Sequence, residues 1–497
     1  MGDEVKEIEL DCGGTKVKVN PGLFINGKFI ASEGGKKFAT IDPSNGKVIA
    51  EVYEASASDI DKAVDAAEAA FRGKWGSTSA NNRGRLLQAL SALLMKNRDE
   101  IARIEALDNG KTFAMASRVD IPGTADCFNY YGGWATKRHG KTLDLDKNTF
   151  AYTRHEPIGV CGCIIPWNFP LLMAAWKLGP LLACGNTAVL KSSEKTPLSA
   201  LYLAKLIREA GFPPGTVNIV SGYGPTTGEA ISSHMRIRKV AFTGSARTGR
   251  LIMKSAANSN LKKISLELGG KSPNIIFDDC NLGQALAYSI PGLLFNAGQV
   301  CAAGTRLFVQ EGIYDKFVAA FTKSMKSMKL GNQWGRSTMQ GPQVDKIQFD
   351  NILALIESGK KAGATVAVGG KRHGDQGYYI EPTLFTDVTD DMEIVKKEIF
   401  GPVGVVLKFK TEEEVIRRAN DTEYGLAAAV FTTDVGKAIR VSNALEAGTV
   451  WVNQYAGGGI QCAFGGYKQS GIGRECGEYA LELYTEVKQV IMNISKM

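Results

Sequence analysis

Apolar residues recur at helical spacing in the first quarter of the chain. Asp59–Phe71 is one such run, with Ser58 placed to cap it. Arg83–Leu107 is a second, carrying Leu86, Leu87, Leu90, Leu93, Leu94, Ile101 and Ile104 on one helical face. From about residue 158 the pattern changes to short, continuous apolar runs separated by amphipathic ones. Gly159–Ile165, Thr187–Leu190, Val217–Val220, Val240–Phe242 and Ile264–Leu266 read as strands. Leu171–Leu182 and the segment from Pro197 to Gly211 read as the helices between them. A second alternating block runs from Pro273 to about Gly465, with strands at Asn274–Phe277, Leu307–Gln310, Val403–Phe409 and Gly448–Val452. Strands that are apolar on both faces and alternate with helices predict parallel sheets covered on each side. The expected fold class is α/β, with two doubly wound parallel-sheet domains. Thr142–Leu145 and Thr149–Arg154 alternate around Asp146-Lys147-Asn148 like a hairpin, and Thr485–Ile494 alternates at the chain end. These segments read as a small arm that pairs across subunits, with a β-flap closed inside the chain as the alternative.

Composition narrows the function classes. The chain has 497 residues, 44% hydrophobic and 22% charged, which excludes a disordered, collagenous or coiled-coil protein. The net charge of +8 is spread out, and the densest basic clusters are the pairs Lys36-Lys37 and Lys262-Lys263. No nucleic-acid surface is expected from that pattern. No apolar run approaches a membrane span, and the acidic start Met1–Glu7 lacks the features of a secretory or transit segment. Nine cysteines without framework spacing fit reduced thiols, so a cytoplasmic location is expected. The four histidines are isolated and Cys161-Gly162-Cys163 is too tight for a zinc knuckle, so no metal is expected.

Three segments carry candidate chemistry. Phe295–Arg306 surrounds Cys301 with small residues, as a nucleophile open to substrate requires; read alone, a buried inert cysteine is the alternative. Glu267 ends an apolar strand before Gly269-Gly270, where burial raises a carboxyl pKa toward that of a general base, unless it is a solvated strand end. Asn168, between Trp167 and Phe169, offers an amide donor for a developing oxyanion, or else forms a turn. No histidine accompanies Cys301, so a Cys–Glu pairing is left. Gly244-Ser245-Ala246-Arg247-Thr248-Gly249 is not a P-loop, because Arg250-Leu251 follows, yet it joins a strand to a helix N-terminus that can receive a phosphate. Lys191-Ser192-Ser193-Glu194 follows a strand, and an acid there suits a ribose diol and repels a 2′-phosphate.

Taken together and in order, Pro166–Pro170, Leu266–Pro273, Gly298–Cys301, Glu398–Pro402 and Phe464–Lys468 resemble the aldehyde dehydrogenase superfamily, from about Gly22 to Lys488. The sequence style is similar to the general NAD-dependent branch found in fungi. The resemblance implies a Rossmann-like dinucleotide-binding domain over 1–134 and 158–266 and a catalytic domain over 267–468. It also implies an oligomerisation arm over 135–157 and 479–497, in a homodimer or homotetramer. It makes Cys301 the nucleophile toward an aldehyde, Asn168 the oxyanion donor, Glu267 the activator of water and Lys177 a residue near the catalytic centre. Thiohemiacetal and thioester intermediates follow. Cofactor contacts are implied for Ile164, Ile165, Trp167, Lys191, Glu194, Gly244, Ser245, Gly249, Leu268, Glu398 and Phe400. Glu194 favours NAD, with NADP left open because Ser192 and Ser193 are small. Phe169, Met173, Trp176, Phe295, Ala456, Gly458 and Phe464 match the family's substrate tunnel. Gly123 and Ala456–Gly459 are smaller than expected there. This predicts a bulky aldehyde such as indole-3-acetaldehyde, with a short-chain aldehyde such as acetaldehyde as the alternative. A non-redox thioester or ester hydrolase and a non-catalytic oligomer are the competing classes.

Overall fold

The computed structural model describes residues 4–495; residues 1–3 and 496–497, the tips of the expected cofactor domain and arm, lie outside them. The first long helix, Ala57–Arg72, is capped by Ser56. The Ser56 hydroxyl accepts the Asp59 N–H while the Asp59 carboxylate accepts the Ser56 N–H. Ser58, the expected cap, lies inside the first turn and donates to Glu33. Ser56 prevails because Asp59 is buried where it reaches back to close the reciprocal pair. The periodic run over 83–107 is two helices, Ala80–Lys96 and Arg98–Asn109, broken at Asn97. The Asn97 side chain donates to the Leu93 carbonyl at 2.8 Å, competing with the helix ladder, while the apolar stripe continues across the break.

The first sheet has eight strands in the order Gly471–Ile472, Lys263–Glu267, Lys239–Thr243, Val160–Ile164, Thr187–Lys191, Val217–Val220, Leu23–Ile25, Lys28–Ile30. The five central strands are parallel. Val160–Ile164 comes first of the five in sequence, and the strand order reverses beside it. The crevice beyond its carboxyl end and that of Lys239–Thr243 is therefore the topological switch point, where open α/β sheets bind ligands. The edges are antiparallel, a difference from an all-parallel sheet: the pair over 23–30 is too short to show alternation, and Gly471–Ile472 joins from the far end of the chain.

The second sheet has seven strands in the order Thr365–Val368, Thr383–Thr386, Val403–Phe409, Arg306–Gln310, Pro273–Ile276, Ala427–Phe431, Thr449–Val452, parallel except for the first. The hairpin and terminal strand close on each other within the chain. Thr485–Asn493 pairs antiparallel with Thr149–Pro157 over nine residues, and Thr142–Asp146 lies on the other side. No helix among the described residues is long and apolar enough to cross a membrane.

Candidate active site

A cavity of about 1250 Å³ opens between the two sheets at the switch point. Single small-molecule sites are roughly 300–1,000 Å³, so this one has room for two ligands. Cys301 lies on its floor, after a turn in which Asn296, Ala297 and Gly298 are all left-handed (φ 50°, 55° and 73°). Such backbone costs about 1–2 kcal/mol at each non-glycine residue and persists only when its surroundings hold it. Here Asn296 Nδ2 donates to the Asn168 carbonyl at 3.0 Å, Gln299 Nε2 donates to the Asn296 carbonyl at 3.1 Å, and Gln299 Oε1 accepts the Val344 N–H at 2.9 Å. A Cβ on Gly298 would stand 2.0 Å from the Gly401 carbonyl oxygen, so only glycine lets the cysteine loop cross the 398–402 segment. Burial, then Glu398 and Glu267, push the Cys301 thiol up to about 12, against the pull of the Ala302 and Cys301 backbone N–H groups.

Asn168 lines the same floor. Its Nδ2 donates to the Gln299 carbonyl at 3.0 Å. A carboxamide nitrogen has two N–H donors, which leaves the second for an incoming oxygen.

Glu267 ends its strand against the cavity, 4% exposed, and its Oε2 has no hydrogen-bond partner. Burial first, then the neighbouring Glu475, holds its carboxyl well above the usual range, while Lys177 and Arg474 oppose the shift. Lys177 does not line the cavity. Its buried ammonium donates to Glu475 Oε1 at 2.6 Å and Thr243 Oγ1 at 2.7 Å, so it reaches the site through Glu475, which does line it. Glu475 was not picked out from the sequence. No spacing marks it, and it arrives only because Gly471–Ile472 returns to pair with Leu266 and Glu267.

At one end Trp167, Gly244, Ser245, Leu268, Glu398 and Phe400 line the cavity. Ser245 caps the helix Ala246–Asn258, accepting the Thr248 N–H at 3.2 Å, so a 13-residue helix presents its N-terminus here. Gly249 is not on the wall; a Cβ there would lie 2.9 Å from Leu268, so its role is to let the helix approach. Glu398 Oε1 accepts the Gly270 N–H at 3.1 Å, and burial pushes its carboxyl up to about 7 against Gly270 and Lys271. A Cβ on Gly269 would stand 2.3 Å from Glu398, which accounts for a glycine at that position. Phe400 is left-handed (φ 57°) and meets the Trp167 ring edge-on at 5.2 Å. Gln348, also not picked out from the sequence, donates to the Ile399 and Phe400 carbonyls at 3.2 and 2.9 Å and holds that strained turn.

Besides Gly249, four expected cofactor residues lie outside the cavity wall. Ile164 and Ile165 are buried at the end of the central strand, and the Ile165 N–H donates to the Lys191 carbonyl at 3.1 Å. Lys191 Nζ donates to the Ser192 carbonyl at 2.9 Å and lies 3.5 Å from Glu194 Oε2, with Glu194 about one-third exposed. Both sit at the carboxyl end of the strand next to the switch point.

At the other end Phe169, Met173, Trp176, Phe295, Ala456, Gly458 and Phe464 all line the cavity, together with Gly123. Phe169 and Phe295 stack at 6.0 Å, and Trp176 meets Phe464 edge-on at 5.2 Å.

The pattern of the aldehyde dehydrogenase family matches residues 29–490. An aldehyde dehydrogenase of Emericella nidulans is 58% identical over 469 residues, 94% of each chain. The NAD+ complex of aldehyde dehydrogenase from Bacillus cereus superposes with a TM-score of 0.94 at 52% identity, over 95% of this chain and 96% of that one. Indole-3-acetaldehyde dehydrogenase of P. syringae, in complex with NAD+ and IAA, superposes with a TM-score of 0.95 at 41% identity, over 96% and 97%. With one family pattern covering nearly the whole chain and relatives this similar along their full length, this chain belongs to the aldehyde dehydrogenase family.

Proposed function

We propose that this aldehyde-oxidising enzyme is NAD-dependent and works through a covalent intermediate on Cys301. The observation that carries the reading is the meeting of Cys301, Asn168 and Glu267 on the wall of one cavity. With its proton given up to water, the Cys301 sulfur bonds to the aldehyde carbon as the C=O π bond opens onto oxygen, giving a thiohemiacetal. The Asn168 amide and the Cys301 backbone N–H hold its oxygen as charge develops. NAD, when bound, would supply the acceptor for the hydride at this carbon; loss of that hydride leaves a thioester on Cys301. Glu267 takes a proton from water, the water oxygen bonds to the acyl carbon, the C–S bond breaks, and the acid leaves. Lys177 acts here as a positioning residue, holding Glu475 behind Glu267.

The residues present fit the cofactor. The helix N-terminus at Ser245 suits a pyrophosphate, Glu398 stands where a ribose hydroxyl pair would bind, and the cavity exceeds what an aldehyde alone fills. Lys191 and Glu194 hold the other ribose, with Ile164, Ile165, Gly244, Gly249, Leu268 and Phe400 shaping the path. The Glu194 carboxylate opposes a 2′-phosphate, so NADP is accepted only where that side chain swings aside. Residues 1–134 and 158–266 then form the cofactor domain and 267–468 the catalytic domain.

The substrate is a bulky aldehyde such as indole-3-acetaldehyde. Gly123 and Gly457–Gly459 leave the wall without side chains, the remaining wall is aromatic, and a similar structure belongs to an indole-3-acetaldehyde dehydrogenase. A short-chain aldehyde is the second reading, favoured by one observation: Gly458 has φ 127°, so glycine serves the backbone there whatever the pocket holds. The arm, over 135–157 and 479–497, has two outer strands with free edges and exposed Leu145, Val487 and Ile491, which suits pairing with further copies in a dimer or tetramer. Nine unbridged cysteines suit a reducing cytoplasm.

NADH formation with NAD and either indole-3-acetaldehyde or acetaldehyde, beside Cys301→Ala, tests the reading. Turnover lost in the variant and a higher kcat/KM for the bulky aldehyde are expected. Preference for acetaldehyde overturns the substrate, and hydrolysis of a thioester without NAD use overturns the oxidation.

A further inference from the structure

Lys111 belongs to none of the segments that carry the chemistry above, yet its fully buried side chain stands directly behind the floor of the cavity. Its ammonium donates to Asp120 Oδ2 at 2.5 Å and to the Asn168 carbonyl at 3.0 Å, and lies 4.6 Å from the centre of the Phe169 ring. Asp120 itself lines the cavity. One cation thus ties together the peptide of the oxyanion residue, a ring of the substrate wall and a carboxylate on that wall.

The Asn168 carbonyl is held from two sides. Asn296 Nδ2 reaches it at 3.0 Å from the cysteine loop, and Asn109 Nδ2 reaches it at 3.4 Å while holding the Trp167 carbonyl at 2.7 Å. Among the described residues only Lys111 brings a charge to this oxygen, and a charge-assisted hydrogen bond is about twice as strong as a neutral one. The direction of the Asn168 side chain depends on the backbone that this carbonyl orients. Stability is a poor explanation for the arrangement. Glu105, 3.6 Å from the same ammonium, has both oxygens without hydrogen-bond partners, and a methionine would fill the space without desolvating an ion.

We propose that Lys111, seated on Asp120, is the positioning residue that sets Asn168 for the oxyanion and joins it to the substrate wall. The inference rests on the role proposed for Asn168. The two are separated by measuring, on the full-length enzyme with NAD and aldehyde, the rate of the pre-steady-state NADH burst, the Kd for NAD, and Tm. The variants are Asn168→Ala, the pair Lys111→Met with Asp120→Asn, and all three changes together. The pair removes the ammonium and the carboxylate it sits on and leaves Glu105 as the buried acid beside them, so Tm is read with every burst.

A displaced oxyanion donor costs roughly 10²-fold, so the pair is expected to slow the burst by that order while the Kd for NAD moves less than about threefold. Added to Asn168→Ala, it is expected to cost almost nothing more, because both act through one group. A burst near the wild-type rate, or a loss that multiplies with that of Asn168→Ala, overturns the proposal in favour of a structural role. If Asn168→Ala leaves the burst unchanged, the oxyanion assignment itself fails. Should the pair not fold, Lys111→Arg keeps the charge on Asp120 but displaces its donors from the Asn168 carbonyl. A slower burst with wild-type Tm supports the proposal there, and a wild-type burst overturns it.

Discussion

The floor and the mouth of the cavity are built by opposite means. On the floor, side-chain amides of Asn168, Asn296 and Gln299 bind backbone groups at 3.0–3.1 Å and hold three consecutive left-handed residues in front of Cys301. At the mouth, the segment from Ala456 to Cys462 is rich in glycine, and it is tied to its surroundings by the Trp451 indole N–H on the Gly457 carbonyl at 2.6 Å and the Gly477 N–H on the Ile460 carbonyl at 2.7 Å. An over-determined floor keeps reacting atoms in place. A mouth set by few contacts alters which molecule fits without disturbing the chemistry. Changes on the floor should therefore cost rate with every substrate, and changes at the mouth should cost selectivity alone.

The largest effect belongs to Cys301→Ala, which is expected to reduce NADH formation to background with both aldehydes while NAD binding, followed by fluorescence titration, survives. Loss of binding would show that the floor and the cofactor end are one unit. Glu267→Gln comes next. It is expected to spare the first burst of NADH and to slow steady-state turnover about 10²-fold, because the base proposed here acts after hydride leaves. In the proposed mechanism both groups work deprotonated, and both are shifted upward by burial, Cys301 to about 12. The wild-type rate is therefore expected to climb with pH from neutrality to pH 9, and a rate that falls over that range breaks this assignment.

A smaller effect tests the mouth. Gly123 lines the cavity and has no left-handed backbone to protect, and a Cβ there meets only Leu172, at 3.3 Å. Gly123→Met is expected to lower the kcat/KM ratio of indole-3-acetaldehyde to acetaldehyde by roughly tenfold, the scale of a few methylenes in a pocket, with acetaldehyde turnover preserved. An unchanged ratio favours the short-chain reading. Equal loss with both substrates breaks the distinction between floor and mouth.

The same contrast explains what was legible in the sequence. Cys301, Glu267 and Asn168 stand at strand ends or in tight turns, within runs whose order is distinctive, so they were read before any geometry. Glu475 and Lys111 were not, because each acquires its place through tertiary contact: the return strand brings Glu475 to Glu267, and a turn after the helix Arg98–Asn109 brings Lys111 under Asn168. The break at Asn97 was hidden because side-chain hydrogen bonding interrupts a helix without interrupting its apolar stripe. The parallel cores showed in their apolar runs. The antiparallel edges did not, since two or three residues carry no period.

The smallest effect concerns Glu398, the buried carboxyl between floor and cofactor end. Burial raises it from the usual 4.5 to about 7 in the folded chain. Between those values the unfolded chain has lost this proton and the folded chain keeps it. The contribution to stability is therefore full below about pH 4.5 and declines as pH rises to about 7, with nothing further lost above. Glutamine carries no such proton and still offers an oxygen to the Gly270 N–H. Measured without cofactor, Tm of Glu398→Gln minus Tm of the wild type is expected to rise across that window and level off above it, by on the order of 2–4 °C. A difference that stays flat with pH would mean that Glu398 is already ionised in the folded protein. Glu398 would then carry a full charge at every working pH.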